Sequence, residues 1–141
     1  MSPIYRGRSI SDGLAEGEAL VTKQGISFMG GVNLDTGVVT EVGHELRGKS
    51  VTGKILVLPN LKGSAAGMWM IIRLASAERG PKAIIISRAD TILVGGVIMA
   101  GIPTIDLLSV NPFETFKSGD WLKVDGKEGT VEIVKSYSRN A

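Results

Sequence analysis

In the run Ile55-Leu56-Val57-Leu58-Pro59-Asn60-Leu61-Lys62-Gly63-Ser64-Ala65-Ala66-Gly67, a hydroxyl, an ammonium and several backbone amides share one turn. An apolar, strand-like stretch ends at Pro59, a short polar turn follows, and a helix-like segment opens at Gly63-Ser64. The first N–H groups of a helix have no partner within it, and its dipole favours negative charge at that end. Ser64 therefore has two readings. Its side chain can cap the helix, which contributes about 1 kcal/mol of stability. Alternatively, the hydroxyl can serve as proton acceptor or nucleophile, with the dipole and Lys62 stabilising the alkoxide. Spacing alone leaves both readings open.

Two familiar motifs fail at this turn. A Walker A loop needs the lysine after its second glycine, whereas Lys62 precedes Gly63. A nucleophile elbow needs G-x-S-x-G, but Ser64 directly follows the first glycine of Gly63-Ser64-Ala65-Ala66-Gly67. The lone histidine, His44, offers a single base for a triad, so a self-contained hydrolase is not expected. His44 with Glu45 reads as a solvated loop pair in preference to a proton-transfer pair. Gly30-Gly31 either turns the chain or lets a ligand approach the backbone closely. Lys62 either holds a substrate carboxylate or phosphate or points into water. Met68, Trp69 and Met70 are expected in a helix core.

These residues need a scaffold, and the totals bound it. At 141 residues, 43% hydrophobic and 21% charged, the chain is of single-domain size with an ordinary globular balance. Sixteen basic against fourteen acidic side chains leave a net charge of +2, and no Lys/Arg cluster interleaves with aromatics. Nucleic-acid binding is not expected. There is no cysteine, which excludes disulfides and thiolate ligands within this chain. No basic start leads into an apolar stretch, and no apolar run approaches the roughly 20 residues needed to cross a bilayer. A soluble cytoplasmic protein without a membrane partner is the expectation. Nineteen glycines without a fixed period suggest tight turns and a β-rich architecture.

Along the chain, residues 5–24 read as extended, and Asp35-Thr36-Gly37 as a turn before a short strand at 38–40. Residues 43–53 read as loop. The segment 54–58 is a buried strand, Ser64 to Arg79 a helix stopped by Gly80-Pro81, and 83–86 a second buried strand. Strand, helix, strand in that order predicts a right-handed βαβ crossover with a parallel pair. Asp90 caps a short helix reaching Ala100, and 102–106 is a further strand. The segments 120–126 and 129–133 form a hairpin, and 136–141 is a frayed tail.

Taken together, the ordered blocks are specific. The first is Gly17-Glu18-Ala19-Leu20-Val21 with Ile26-Ser27-Phe28-Met29-Gly30-Gly31-Val32-Asn33 and Thr36-Gly37. The second runs from His44-Glu45-Leu46-Arg47-Gly48 through Lys54-Ile55-Leu56-Val57-Leu58-Pro59. The third comprises Lys62-Gly63-Ser64, Pro81-Lys82-Ala83-Ile84-Ile85 and Gly101-Ile102-Pro103. Over nearly its whole length the chain resembles the small, swivel-domain subunit of the aconitase X family.

The resemblance implies a single α/β domain over 1–141, of β/β/α type, with a central sheet or barrel-like core and flanking helices. It also implies a larger catalytic partner subunit whose own cysteines carry a [4Fe-4S] cluster. Family members are hydro-lyases in which the cluster acts as Lewis acid on a hydroxyl while a base removes a proton from the neighbouring carbon. In the family that base is a small-subunit serine, matching Ser64. Lys62 and the N–H groups of Gly63 and Ala65 are then expected to hold the base or an anionic hydroxy-acid substrate, with Gly30 and Gly31 lining the same cleft. A free-standing small subunit of this length is most similar to the archaeal form acting on (R)-5-phosphomevalonate. Bacterial relatives acting on cis-3-hydroxy-L-proline are the nearest alternative. One departure is local: relatives often carry a second serine where this chain has Gly67-Met68.

Two rival classes remain at this stage. A scaffold that merely closes over its partner's site would not need the Ser64 hydroxyl. A mobile carrier domain, as in phosphoenolpyruvate-using enzymes, would need a histidine in its active loop, and His44 stands elsewhere.

Overall fold

The computed structural model describes residues 2–63 and 65–137. In chain order its elements are β1 (Ile4–Arg6), β2 (Arg8–Ser11), β3 (Leu14–Val21), α1 (Phe28–Gly31), β4 (Ile55–Leu58) and α2 (Ala66–Ser76). They continue with β5 (Ala83–Ile86), α3 (Thr91–Ala100), β6 (Thr104–Asp106), α4 (Pro112–Thr115), β7 (Trp121–Asp125) and β8 (Thr130–Lys135). The eight strands form one sheet in the order β1-β8-β7-β3-β4-β5-β6-β2.

β3 joins the two halves. Residues 14–18 pair antiparallel with β7, and residues 19–21 pair parallel with β4. From β3 to β6 the neighbours are parallel, with α2 and α3 as crossovers. The βαβ unit expected from residues 54–86 is therefore present, as is the 120–133 hairpin.

The two end strands of the sheet, β1 and β2, are separated in sequence by Gly7 alone. One N-terminal segment thus pairs with β8 and then with β6, and the sheet closes into a barrel. At the crossing point the Gly7 N–H donates to the Gly129 carbonyl at 2.8 Å. A Cβ on Gly7 would lie only 2.6 Å from the Asp106 carbonyl oxygen and 2.8 Å from Ile105 Cγ2. Glycine is the residue that fits.

The core is double. Ile55, Val57, Ala83, Ile85, Ile105, Phe116, Leu122, Val124 and Val131 fill the barrel. Leu56, Leu58, Ile84 and Ile86 point the other way, against Met68, Ile71, Leu74, Leu93 and Val97 of the helices. β4 and β5 are buried on both faces, which explains their unbroken apolar runs where a half-solvated strand would alternate. Each such side chain contributes about 1.5–3 kcal/mol on burial. The layering is sheet, sheet, helix, as the β/β/α expectation requires.

Several local expectations need correction. Residues 38–40 form only isolated bridges, Val38 with Ser50 and Val39 with Val32, because no neighbouring strand extends the ladder. α2 stops at Ser76, three residues before Arg79; Glu78 turns to φ 59° and the Arg79 N–H closes onto the Leu74 carbonyl at 2.8 Å. Trp69 is 58% exposed, on the outer side of α2, with Met68 and Ile71 taking the core positions. Of the expected tail, the Tyr137 N–H is held by Asp120 Oδ1 at 2.8 Å, and residues 138–141 lie outside the described residues.

Candidate active site

β4 and β5 end at Leu58 and Ile86, and α2 and α3 begin soon after, at Ala66 and Thr91. Two helix N-termini therefore collect at the carboxyl edge of the parallel strands, the usual ligand edge of such sheets. α3 is capped by Asp90, whose side chain accepts from the Leu93 N–H at 2.8 Å. α2 is preceded by Ala65, itself in helical conformation and without a side-chain cap bond. Ser64 itself lies outside the described residues.

The turn between β4 and α2 is anchored on its β4 side. Leu61 bridges to Ile26, and the Lys62 N–H donates to the Ile26 carbonyl at 2.9 Å. Gly63 has φ +97°, a conformation open to glycine and costly for other residues. Lys62 and Gly63 line a small concavity with Phe28, Leu61, Gly67, Met68, Asp90 and Ile92. Gly67, at the site of the departure noted from the sequence, lies on that wall.

The glycine pair belongs to α1, where Met29 (ψ 100°) and Gly30 (φ 84°) depart from helical angles and make a kinked turn. Gly31 is buried over Glu41: a Cβ there would lie 3.1 Å from Glu41 Oε1. Gly30 borders open space, with nothing within 4 Å of such a Cβ.

Glu41 connects these segments. Its Oε1 accepts the Ser27 N–H at 2.9 Å, and its Oε2 forms an ion pair with Lys62 Nζ. Burial pushes the Glu41 carboxyl up, but the hydrogen bonds from Lys62 and Ser27 and the nearby positive charge outweigh it. The net effect holds it below its ordinary value. Lys62 is half-exposed and paired with Glu41, so it does not simply point into water. Sequence reasoning missed Glu41, a lone acid between Thr40 and Val42 with no motif to mark it.

His44 is not part of this group, nor is it solvated. It is 7% exposed, its Nδ1 accepts from the Leu46 N–H at 3.0 Å, and its Nε2 lies 3.1 Å from the Gly25 carbonyl. Those bonds specify the Nε2–H tautomer and occupy both ring nitrogens. Its neighbour Glu45 is likewise committed, accepting from Thr22 Oγ1 at 2.5 Å and from the Lys23 N–H at 2.9 Å.

Residues 4–133 match the family model described as the aconitase X swivel domain. The phosphomevalonate dehydratase small subunit of Methanosarcina mazei is 44% identical over 136 residues, 96% of this chain and 94% of its own. That of Pyrococcus furiosus is 43% identical, covering 92% of this chain and 94% of its own. The crystal structure of Thermococcus kodakaraensis aconitase X in its holo form superposes with a TM-score of 0.88. The identity is 42%, with coverage of 94% of this chain and 99% of that one.

Proposed function

The chain belongs to the aconitase X swivel-domain family, and on that footing we propose that it is the small subunit of a phosphomevalonate dehydratase. The observation that carries this reading is the match to such small subunits along nearly the whole length of both chains. The proposed reaction removes water from (R)-5-phosphomevalonate to give trans-anhydromevalonate 5-phosphate. A proton leaves the carbon beside the substrate carboxylate, its electron pair forms the double bond, and the neighbouring hydroxyl departs as water.

Ser64 is the proposed proton acceptor. Support comes from its place in the sequence, between Gly63 and Ala65 just ahead of α2, a helix whose dipole favours an oxyanion at its N-terminal end. An ammonium has three donors, and Glu41 takes one of those of Lys62, leaving the others for an anionic substrate group. The N–H groups of Gly63 and Ala65 serve the same purpose, and Gly30 and Gly31 form the flank.

An iron–sulfur cluster does not fit this chain's own residues. It has no cysteine, and among the described residues no three His, Cys, Asp or Glu side chains gather. We assign the [4Fe-4S] cluster to a larger partner subunit, which shares the site and without which this chain is inactive. Residues 1–141 act as one swivel domain of that complex. Among the described residues no helix is long and apolar enough to cross a membrane, and the complex is proposed to work in the cytoplasm.

The test is reconstitution with the large subunit, assayed on 5-phosphomevalonate and on cis-3-hydroxy-L-proline. The expected result is dehydration of the first, lowered roughly a hundredfold or more by Ser64→Ala with subunit association intact. Near-normal turnover of Ser64→Ala would exclude the base role and leave a scaffold. Activity confined to hydroxyproline would overturn the substrate assignment.

A further inference from the structure

We infer that Glu41 is a positioning residue for the proposed dehydration, fixing the turn that carries Ser64 by holding Lys62 against the 26–31 segment. The inference rests on the dehydratase reading above. Three pieces of chain meet at this one carboxylate. Oε1 takes the Ser27 N–H at 2.9 Å, and Oε2 takes the Lys62 ammonium. From beneath, the Thr40 and Glu41 N–H groups both donate to the Gly31 carbonyl, at 2.9 and 3.2 Å. The partners are 14 and 21 residues away in sequence, so the contact adds a side-chain tie from the 41 loop to two segments whose backbones already meet at Ile26, Leu61 and Lys62.

Glu41 is poorly suited to touch substrate itself. Both oxygens are engaged, the side chain is only 18% exposed, and its charge repels a carboxylate or phosphate. Lys62 has the opposite profile, half-exposed and cationic on the rim of the concavity. The hydrogen bonds from Lys62 and Ser27 outweigh burial and keep Glu41 ionised, so the tether persists at neutral pH. A flexible lysine one residue before Gly63 would otherwise sample many rotamers, and a nearby base would follow the turn.

The experiment compares wild type, Glu41→Gln, Lys62→Met and the double variant, each as the complex with the large subunit. Glu41→Gln is expected to lower kcat about tenfold to a hundredfold without raising KM, since an unpaired ammonium still attracts the anion. In the Lys62→Met background the same change should cost almost nothing more, because the ion pair is already gone and the Gln amide oxygen can still accept the Ser27 N–H. Wild-type kcat in Glu41→Gln, or losses that multiply in the double variant, would overturn the inference. If Glu41→Gln does not assemble, Glu41→Asp keeps the charge but shortens the reach. It should show an intermediate kcat with unchanged KM, and wild-type kcat there would also count against the tether. A second readout does not depend on any reaction: amide hydrogen exchange of the isolated full chain. Residues 26–31 and 61–63 should exchange faster together in Glu41→Gln, and unchanged protection would refute the tether even if the dehydratase reading stands. Conversely, coupled loss of protection in a complex inactive on 5-phosphomevalonate would uphold the tether and reject the substrate.

Discussion

Arg8 grips Asp106 with both arms of its guanidinium, Nε to Oδ1 at 2.8 Å and Nη2 to Oδ2 at 2.7 Å. The pair spans the seam where β2 meets β6, the last join that closes the barrel. Oδ2 also accepts the Ala89 N–H at 2.8 Å, so the same carboxylate holds the loop that delivers Asp90 to the head of α3. A fork-to-fork geometry of this kind fixes orientation as well as charge.

This seam predicts an acid-sensitive stability. Burial pushes the Asp106 carboxyl up, but the Arg8 hydrogen bonds, the Ala89 N–H and the charges of Arg8 and Arg88 outweigh it. Its folded value is held below the ordinary one. A depressed carboxyl stabilises the fold above its unfolded pKa, about 3.9, and that contribution disappears as pH falls through the folded value. Asp106→Asn should cost about 1–3 kcal/mol at neutral pH, with the half-exposed Arg8 keeping it below the range for fully buried pairs. Thermal melts from pH 7 to pH 3 should show the wild-type and variant curves converging below about pH 4. A gap of constant size would show that the Asp106 charge is not the source.

Gly7 makes a steric prediction about the same seam. The 2.6 Å approach that a Cβ would make to the Asp106 carbonyl oxygen involves backbone, which cannot rotate aside. Gly7→Ala should therefore force β1–β2 away from β6 and cost about 1–3 kcal/mol. Equilibrium urea unfolding measures it, and an unchanged midpoint would mean that the barrel closes more loosely than described.

Phe116 tests the barrel interior. It is fully buried, and Tyr5 meets it edge-on with ring centroids 5.8 Å apart at 79°. Phe116→Ala removes that contact and leaves a cavity beneath β1, at a cost of about 3–5 kcal/mol. The expected signature is a lower denaturation midpoint with little change in slope. A loss under about 1 kcal/mol would mean that the barrel collapses to fill the space.

What was legible in the sequence was what is local. Ile55 to Leu58 and Ala83 to Ile86 announce strands covered on both faces, and Asp90 announces its cap; each pattern lies within a few residues. The closure of the barrel was not legible, because Arg8 and Asp106 are 98 residues apart and nothing near either one specifies the other. His44 was misread as solvated for a similar reason: its burial depends on where the 41–48 loop packs, a tertiary choice that overrides a polar, glycine-punctuated sequence. Trp69 shows the limit of helical periodicity, since a shift of one position turns a core residue outward on a short helix. At the site, Lys62 and Gly63 could be picked out from the turn, but the Glu41 that pairs with Lys62 could not.

Gly63 gives the last prediction, which separates stability from chemistry. Its φ of +97° strains any residue with a Cβ, yet the space around it is open, with only Ser27 Oγ at 3.7 Å from a Cβ placed there. Gly63→Ala should thus cost only the backbone penalty, about 1–2 kcal/mol. The chain can relieve that strain by relaxing φ, which swings the next residue, and the next residue is Ser64. If Ser64 is the proton acceptor, turnover in the reconstituted complex should fall about tenfold or more while the chain stays folded and associated. Parallel melts and kcat measurements distinguish the outcomes. A kcat that declines only in proportion to the folded fraction would mean that the direction of this turn does not matter to the reaction, and the base would have to be sought elsewhere.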